Sequence, residues 1–138
     1  MAFVLDCSVA ASWFFRDERN PYAMAAQERL EHEPAVVPCH FFLEVANVLL
    51  VGERRASLTR REGDDLLRLL DGLPITTDTS FDKTYIGSVR ALAREHHLSA
   101  YEATYLELAQ RTGLPLATLD DGLRCAAGEA DVAVWRPD

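Results

Sequence analysis

The chain has 138 residues, 49% of them hydrophobic and 26% charged, with a formal net charge of −8. That length and balance predict one soluble domain over residues 1–138 with a proper core, and exclude a disordered or fibrous chain. The acidity excludes a binder that grips nucleic acid through a broadly basic surface. It leaves room for a nuclease, because metal-binding carboxylates add negative charge that bound cations then reverse.

No apolar stretch is long enough to span a bilayer, and the start, MAFVLDCS, lacks a basic region followed by an apolar one. The expected location is the cytoplasm, with no membrane contact. Cys7, Cys39 and Cys125 are odd in number, far apart and without metal-ligand spacing, so they read as reduced, partly buried hydrophobes. Lys83 is the only lysine among fourteen basic residues. Arginine suits bidentate phosphate contacts, but a bias this pervasive reflects genome composition more readily than function.

In chain order, residues 2–5 (AFVL) form a short apolar run ending on Asp6, a buried strand. Helices are expected over 8–15 and 20–31, the second with Asn20 as its cap and Pro21 at its first position. Ala35–Val37 is a second strand, stopped by Pro38. Residues 40–54, nearly all apolar with Glu44 and Asn47 inside, predict a core helix. The helix 60–70 starts on a capping box of Thr59 and Glu62. Ile75–Thr77 is a third strand and 80–96 another helix, ending at His96–His97. A helix over 100–111 starts at Ser99 and stops at Gly113. Residues 114–119 (LPLATL) make a strand delivering Asp120, 121–128 a short helix, and 132–135 a last strand. Short apolar strands alternating with helices indicate an α/β protein with a parallel sheet covered on both faces.

Four acidic residues stand where folding alone does not require them. Asp6 ends the first strand, and the carboxyl ends of strands in an open parallel sheet form the ligand crevice; it also fits as a helix cap, with Ser8 sharing that task. Glu44 lies beside Phe41 and Val48 on the flank of an apolar stripe, where an unpaired carboxylate is costly. Either a buried Arg or a metal ion explains it. Glu102, three residues after Ser99, completes a second potential capping box. Asp120 ends a strand, could cap the next helix, and has the Thr118 hydroxyl two residues before it. If these carboxylates converge, the oxygen-rich site suits Mg²⁺ or Mn²⁺ rather than zinc. The matching chemistry is metal-assisted attack of water on a phosphodiester.

VLDCSVAASWFF at 4–15, FFLEVANVLL at 41–50, the run LSAYEATYLELAQRTGLPLATLDDGLRCAA at 98–127 and the terminal VAVW together resemble a PIN-domain ribonuclease toxin of the VapC type. The resemblance covers essentially the whole chain in order and spacing, and is most specific from Leu98 to Ala127. It implies an α/β/α sandwich, an acidic cluster binding Mg²⁺ or Mn²⁺, and cleavage of single-stranded RNA by a metal-activated water. By position it implies Asp6, Glu44, Glu102 and Asp120 as metal-binding and catalytic residues, supported by Ser8 and Thr118. It further implies a homodimer and a VapB-type antitoxin whose C-terminal segment crosses the active site.

One departure is Glu102, in the sequence Tyr101–Glu102–Ala103 where the family has YDA. The extra methylene moves the carboxylate by roughly 1.5 Å, which predicts reduced but present activity. A housekeeping PIN nuclease in RNA processing and a degenerate PIN domain that only binds a partner are the competing readings. Phosphotransferases that begin on an Asp-tipped strand fit poorly, because Ser8 stands where some need a second Asp and Lys83 is the sole lysine.

His96 and His97 are expected to sit favourably at a helix C-terminus. Arg54, Arg55, Arg60 and Arg61 read as a solvated turn, and Trp13, Phe14 and Phe15 as core or partner-groove residues.

Overall fold

The structure, a computed structural model, describes residues 1–138. Four short strands pair all in parallel in the order β3-β2-β1-β4: β1 (Phe3–Leu5), β2 (Ala35–Val37), β3 (Ile75–Thr77) and β4 (Leu116–Ala117). Phe3, Val4 and Leu5 are wholly buried, as expected of a central parallel strand covered on both faces, where a continuous apolar run replaces alternation. Seven α-helices surround the sheet: α1 (Cys7–Phe14), α2 (Pro21–Arg29), α3 (Phe41–Arg54), α4 (Arg60–Asp71), α5 (Ile86–His96), α6 (Ala100–Thr112) and α7 (Asp121–Glu129). α1 packs on α2 and α3, while α6 packs on α5, α7 and β1, which completes a PIN-like α/β/α sandwich. No helix is long and apolar enough to cross a membrane.

The strand order matters for function. From β1 the chain steps outward to β2 and β3, then returns to the other side of β1 as β4. The sequence order therefore reverses between β1 and β4, and ligand crevices of open parallel sheets lie outside the carboxyl ends of the strands at such a switch. Asp6 follows β1 there and Thr118 follows β4.

Local signals set most helix ends. The Asn20 side chain accepts from the backbone N–H of Tyr22 and Ala23 ahead of Pro21. Thr59 with Glu62 forms a reciprocal capping box. Gly113 ends α6 at φ 71°, a left-handed conformation that glycine adopts without steric cost.

Two expected elements come out differently. The helix predicted over 80–96 begins only at Ile86, after a 3₁₀ turn at Lys83–Tyr85. Asp78 accepts from the Ser80 backbone and hydroxyl, and Asp82 from the Thr84 N–H, so side chains take the backbone donors a helix needs. The strand predicted over 132–135 is reduced to one bridge, Leu116 with Val134. It cannot run past Trp135, because Pro137 has no N–H to give the Thr118 carbonyl, which accepts from Arg124 instead. Trp135 pins the segment instead: its ring stacks on Phe3 at 5.4 Å and its carbonyl accepts from the Tyr22 hydroxyl at 2.6 Å. β4 is likewise shorter than the LPLATL run suggested.

Away from the crevice, Arg111 on α6 forms the strongest ionic cluster. It donates to Glu107 at 2.7 and 3.1 Å and to Asp78 at 2.7 Å, and its guanidinium lies 4.6 Å from the centre of the Tyr85 ring. It ties the loop after β3 to α6.

Candidate active site

Asp6 sits between β1 and α1, with extended backbone (φ −75°, ψ 144°), and its side chain does not cap the helix. Its Oδ2 instead accepts two hydroxyls, Ser8 Oγ at 2.5 Å and Thr118 Oγ1 at 2.7 Å. The capping role expected for it is therefore absent: Oδ2 is taken by the two hydroxyls, and Oδ1 meets no helix N–H. Thr118 is itself wholly buried and receives the Asp120 N–H, while Ser8 Oγ receives the Leu119 N–H. These bonds stitch the end of β1 to the end of β4 and leave Asp6 Oδ1 without a protein partner.

Burial pushes the Asp6 carboxyl above its ordinary value, and the negative charges of Glu44 and Asp120 push it further. The Ser8 and Thr118 hydroxyls oppose that shift by stabilising the charged form. No Arg or Lys forms an ion pair with Asp6, Asp120 or Glu44.

Asp120 does cap α7, accepting the Leu123 N–H at 2.8 Å through one oxygen and leaving the other without a protein partner. Glu44, in the first turn of α3, is less buried than its helix suggested, with its side chain 34% exposed. Neither the expected Arg nor Asn47 pairs with it. Tyr105 of α6 donates its hydroxyl to Glu44 Oε1 at 2.6 Å, and His40 Nε2 stands 3.1 Å from the same oxygen.

Glu102 is engaged through one oxygen at the start of α6. Its Oε1 accepts the Ser99 N–H at 2.9 Å while Ser99 Oγ receives the Glu102 N–H, so the capping box forms in full. The structure thus brings Asp6, Ser8, Thr118, Asp120 and Glu44 into one electrostatic neighbourhood and holds Glu102 on its own helix end. Tyr105 and His40 escaped the sequence reading. The i,i+4 spacing of His40 and Glu44 was the available signal for His40, and no local spacing signals Tyr105.

Cys7, next to Asp6, is raised to about 12 by burial and by the charges of Glu44 and Asp6. It stays a neutral thiol. Cys39 and Cys125 are exposed rather than partly buried. His96 Nδ1 bonds Glu129 at 3.0 Å, so a carboxylate from α7 holds it as well as the helix end. Arg54, Arg55, Arg60 and Arg61 are exposed.

The donor set fits a hard divalent cation. It offers unpaired carboxylate oxygens, no competing basic side chain, and like charges that repel until a cation arrives. No three acidic, His or Cys side chains are gathered into a closed cage. Mg²⁺ commonly takes one or two carboxylates and retains several waters, so an open arrangement suits it.

A separate groove of about 700 Å³ is lined by α1, the turn after it, α3 and the start of α4. Phe14, Phe15, Val48, Val51 and Leu58 make its apolar wall, and its charged lining is mixed, with Arg16 and Arg55 beside Asp17, Glu18 and Glu62. Trp13 is not part of it; its indole N–H donates to the Ala23 carbonyl at 2.7 Å.

An α/β/α protein with an acidic, all-oxygen crevice at the switch point of a parallel sheet is the class that fold and site define. Residues 3–129 match the PIN domain family, and the chain belongs to that family. It is similar to Ribonuclease VapC3 of Pyrobaculum aerophilum, 28% identical over 120 residues, which are 87% of this chain and 90% of that protein. Two solved structures share the fold. The crystal structure of PAE2754 from Pyrobaculum aerophilum has a TM-score of 0.67 at 21% identity, covering 91% of this chain and 79% of that one. FitAcB from Neisseria gonorrhoeae has a TM-score of 0.65 at 22% identity, covering 99% and 98%.

Replacing Thr118 by Val keeps the shape of a buried side chain and removes one hydroxyl from Asp6. The Asp6 carboxyl then rises further, so the acidic limb of any pH–activity profile moves to higher pH. Activity at neutral pH falls about 10–100-fold, the usual cost of losing an outer-shell partner of a metal ligand. A profile that keeps its acidic limb in place contradicts this role for Thr118.

Proposed function

We propose that the protein is a divalent-metal-dependent endoribonuclease, the toxin of a VapBC-type toxin–antitoxin pair, acting on RNA in the cytoplasm as a homodimer. The observation that carries this reading is the Asp6 carboxylate. It is buried, hydroxyl-braced on one oxygen, free on the other, and crowded by acidic neighbours with no basic partner. Such an arrangement is costly for folding and useful for holding a cation. The PIN family match and the similarity to a protein named Ribonuclease VapC3 support RNA as the substrate.

Asp6, Glu44 and Asp120 are the residues we assign to Mg²⁺ or Mn²⁺, with Ser8 and Thr118 fixing Asp6 and Asp120. When bound, the ion supplies activation of water and neutralisation of charge on the scissile phosphate. The chain's own contribution is to hold the carboxylates in place and to keep the Tyr105 phenol protonated as a donor. Burial and its bond to Glu44 drive that phenol's pKa far upward.

Glu102 is the fourth carboxylate we assign to the site, with Oε1 in its capping box and Oε2 free of protein hydrogen bonds. Glu102→Asp shortens the side chain to the length the family uses, at a loss of about 0.5 kcal/mol from the weakened cap. Cleavage and Mn²⁺ affinity are expected to rise severalfold; equal values in the two proteins refute a cost to the native glutamate.

For the antitoxin, the apolar groove between α1 and α3 offers a docking surface. For the dimer, Phe42, Leu43, Ala46 and Leu50 form an exposed stripe on one face of α3. Expression of the chain in bacteria is expected to arrest growth, with relief on co-expressing the cognate antitoxin. Arrest that persists unchanged in Asp6→Asn sinks the catalytic reading.

A further inference from the structure

Glu44 is held in an unusual way. Tyr105 and His40 both address Oε1, at 2.6 and 3.1 Å, and nothing in the protein touches Oε2. The two partners come from different elements, α6 and the residue capping α3. Tyr105 is only 1% exposed, so its ring is fixed by packing before its hydroxyl reaches the carboxylate. His40 is fixed as well: its ring lies 5.4 Å from that of Tyr105 and 5.5 Å from that of Tyr101. Its Nε2 is buried and finds no aligned hydrogen-bond partner. A buried polar atom left without one needs a reason, and the only acceptor facing it is Glu44.

A glutamate in the first turn of a helix, one-third exposed, ordinarily samples several rotamers. Here Tyr105 anchors one oxygen, His40 stands against that same oxygen without an aligned bond, and the other oxygen is left clear. That is the arrangement by which second-shell groups orient a metal ligand. A purely structural bond would satisfy the tyrosine with any acceptor, and would not call for a second buried nitrogen held 3.1 Å from the same oxygen.

We propose that Tyr105 and His40 are positioning residues that hold Glu44 by Oε1 so that Oε2 is presented for capture of a divalent cation. This rests on the assignment of the metal site to Asp6, Glu44 and Asp120. Neither residue need touch the RNA or the ion.

The test is calorimetric titration of Mn²⁺ into the metal-free full-length protein, alongside its metal-free Tm. Tyr105→Phe keeps the ring and removes the hydroxyl; it is expected to weaken Mn²⁺ binding about tenfold while the metal-free Tm stays close to that of the wild type. His40→Phe retains the stacking, removes the nitrogen, and asks the same question should the first variant fold poorly. In a Glu44→Gln background, Tyr105→Phe is expected to add no further loss, because it acts through that carboxylate. Wild-type affinity in both single variants, with binding lost in Asp6→Asn, overturns the positioning role alone. A further loss in the Glu44→Gln background also overturns it. Wild-type Mn²⁺ affinity in Asp6→Asn overturns the metal-site assignment and this proposal together.

Discussion

Asp6→Asn is expected to abolish RNA cleavage and, in the metal-free protein, to raise Tm by a few degrees. The two effects have one cause. The Asp6 carboxyl is pushed above its ordinary value by burial and then by Glu44 and Asp120, so its charged form is disfavoured in the fold. For an acid whose folded pKa is raised, the folded state binds the proton more tightly than the unfolded chain. Stability is therefore greatest below the unfolded value, and it declines as pH rises through the folded one. Wherever the carboxyl is ionised in the fold, the metal-free protein carries that cost, and the neutral amide removes it. Asparagine is nearly isosteric and its carbonyl oxygen can still accept from Ser8 and Thr118, so packing changes little. Activity should fall by at least about a hundredfold, beyond what loss of an outer-shell partner costs. Mn²⁺, which stabilises the wild type by mass action, should no longer move Tm. Thermal melts with and without Mn²⁺, paired with cleavage assays, check both halves. A variant that melts lower than the wild type in the absence of metal contradicts the electrostatic account.

The largest expected loss of stability lies elsewhere, at Arg111. Its guanidinium bridges Glu107 and Asp78, whose side chains are only 7% and 11% exposed, while its own is 22% exposed. Substitution by Met keeps the aliphatic stem and strands two nearly buried carboxylates. Breaking a buried pair typically costs about 3–5 kcal/mol, and partial solvation of the arginine argues for the lower end. A Tm drop on the order of 10 °C follows for a chain of this length. The pH dependence has a definite sign. Arg111 holds the Asp78 carboxyl below its ordinary 3.8. Its contribution is present above that value and lost as pH falls through the lower folded one. The gap between wild type and Arg111→Met should thus narrow in acid below about pH 3.8. Denaturant melts across that range measure it; a gap that stays constant removes Asp78 from the cluster's energetics.

How much of this was legible in the chain depended on the range of the interaction. Asn20–Pro21, Thr59–Glu62 and Gly113 announce helix ends because their chemistry is complete within a few residues. Phe3–Leu5 announces a buried central strand because covering on both faces makes the run continuous. The strand expected at 132–135 shrinks to a bridge at Val134, and Pro137 has no N–H to carry the ladder on to the Thr118 carbonyl, which accepts from Arg124 instead. The helix start at 80 failed because Asp78 and Asp82 offer their oxygens to nearby backbone N–H groups.

The site divides in the same way. Asp6 and Asp120 were placed by strand ends, and Thr118 by its spacing from Asp120. Glu44 was singled out as a buried charge, whereas it is one-third exposed and held by a tyrosine from another helix. That contact spans 61 positions, and no local pattern encodes it. Glu102 had two explanations from the start, and the side chain adopts the capping one.

The most direct test of the account is cleavage of a single-stranded RNA by the purified protein as Mn²⁺ is titrated in, with Tm followed on the same samples. Internal cleavage that appears with Mn²⁺, stops with a chelator, returns on adding excess Mn²⁺ and tracks the rise in Tm is the predicted result. Cleavage that proceeds undiminished in the chelator, or in Asp6→Asn, contradicts a metal site built on Asp6.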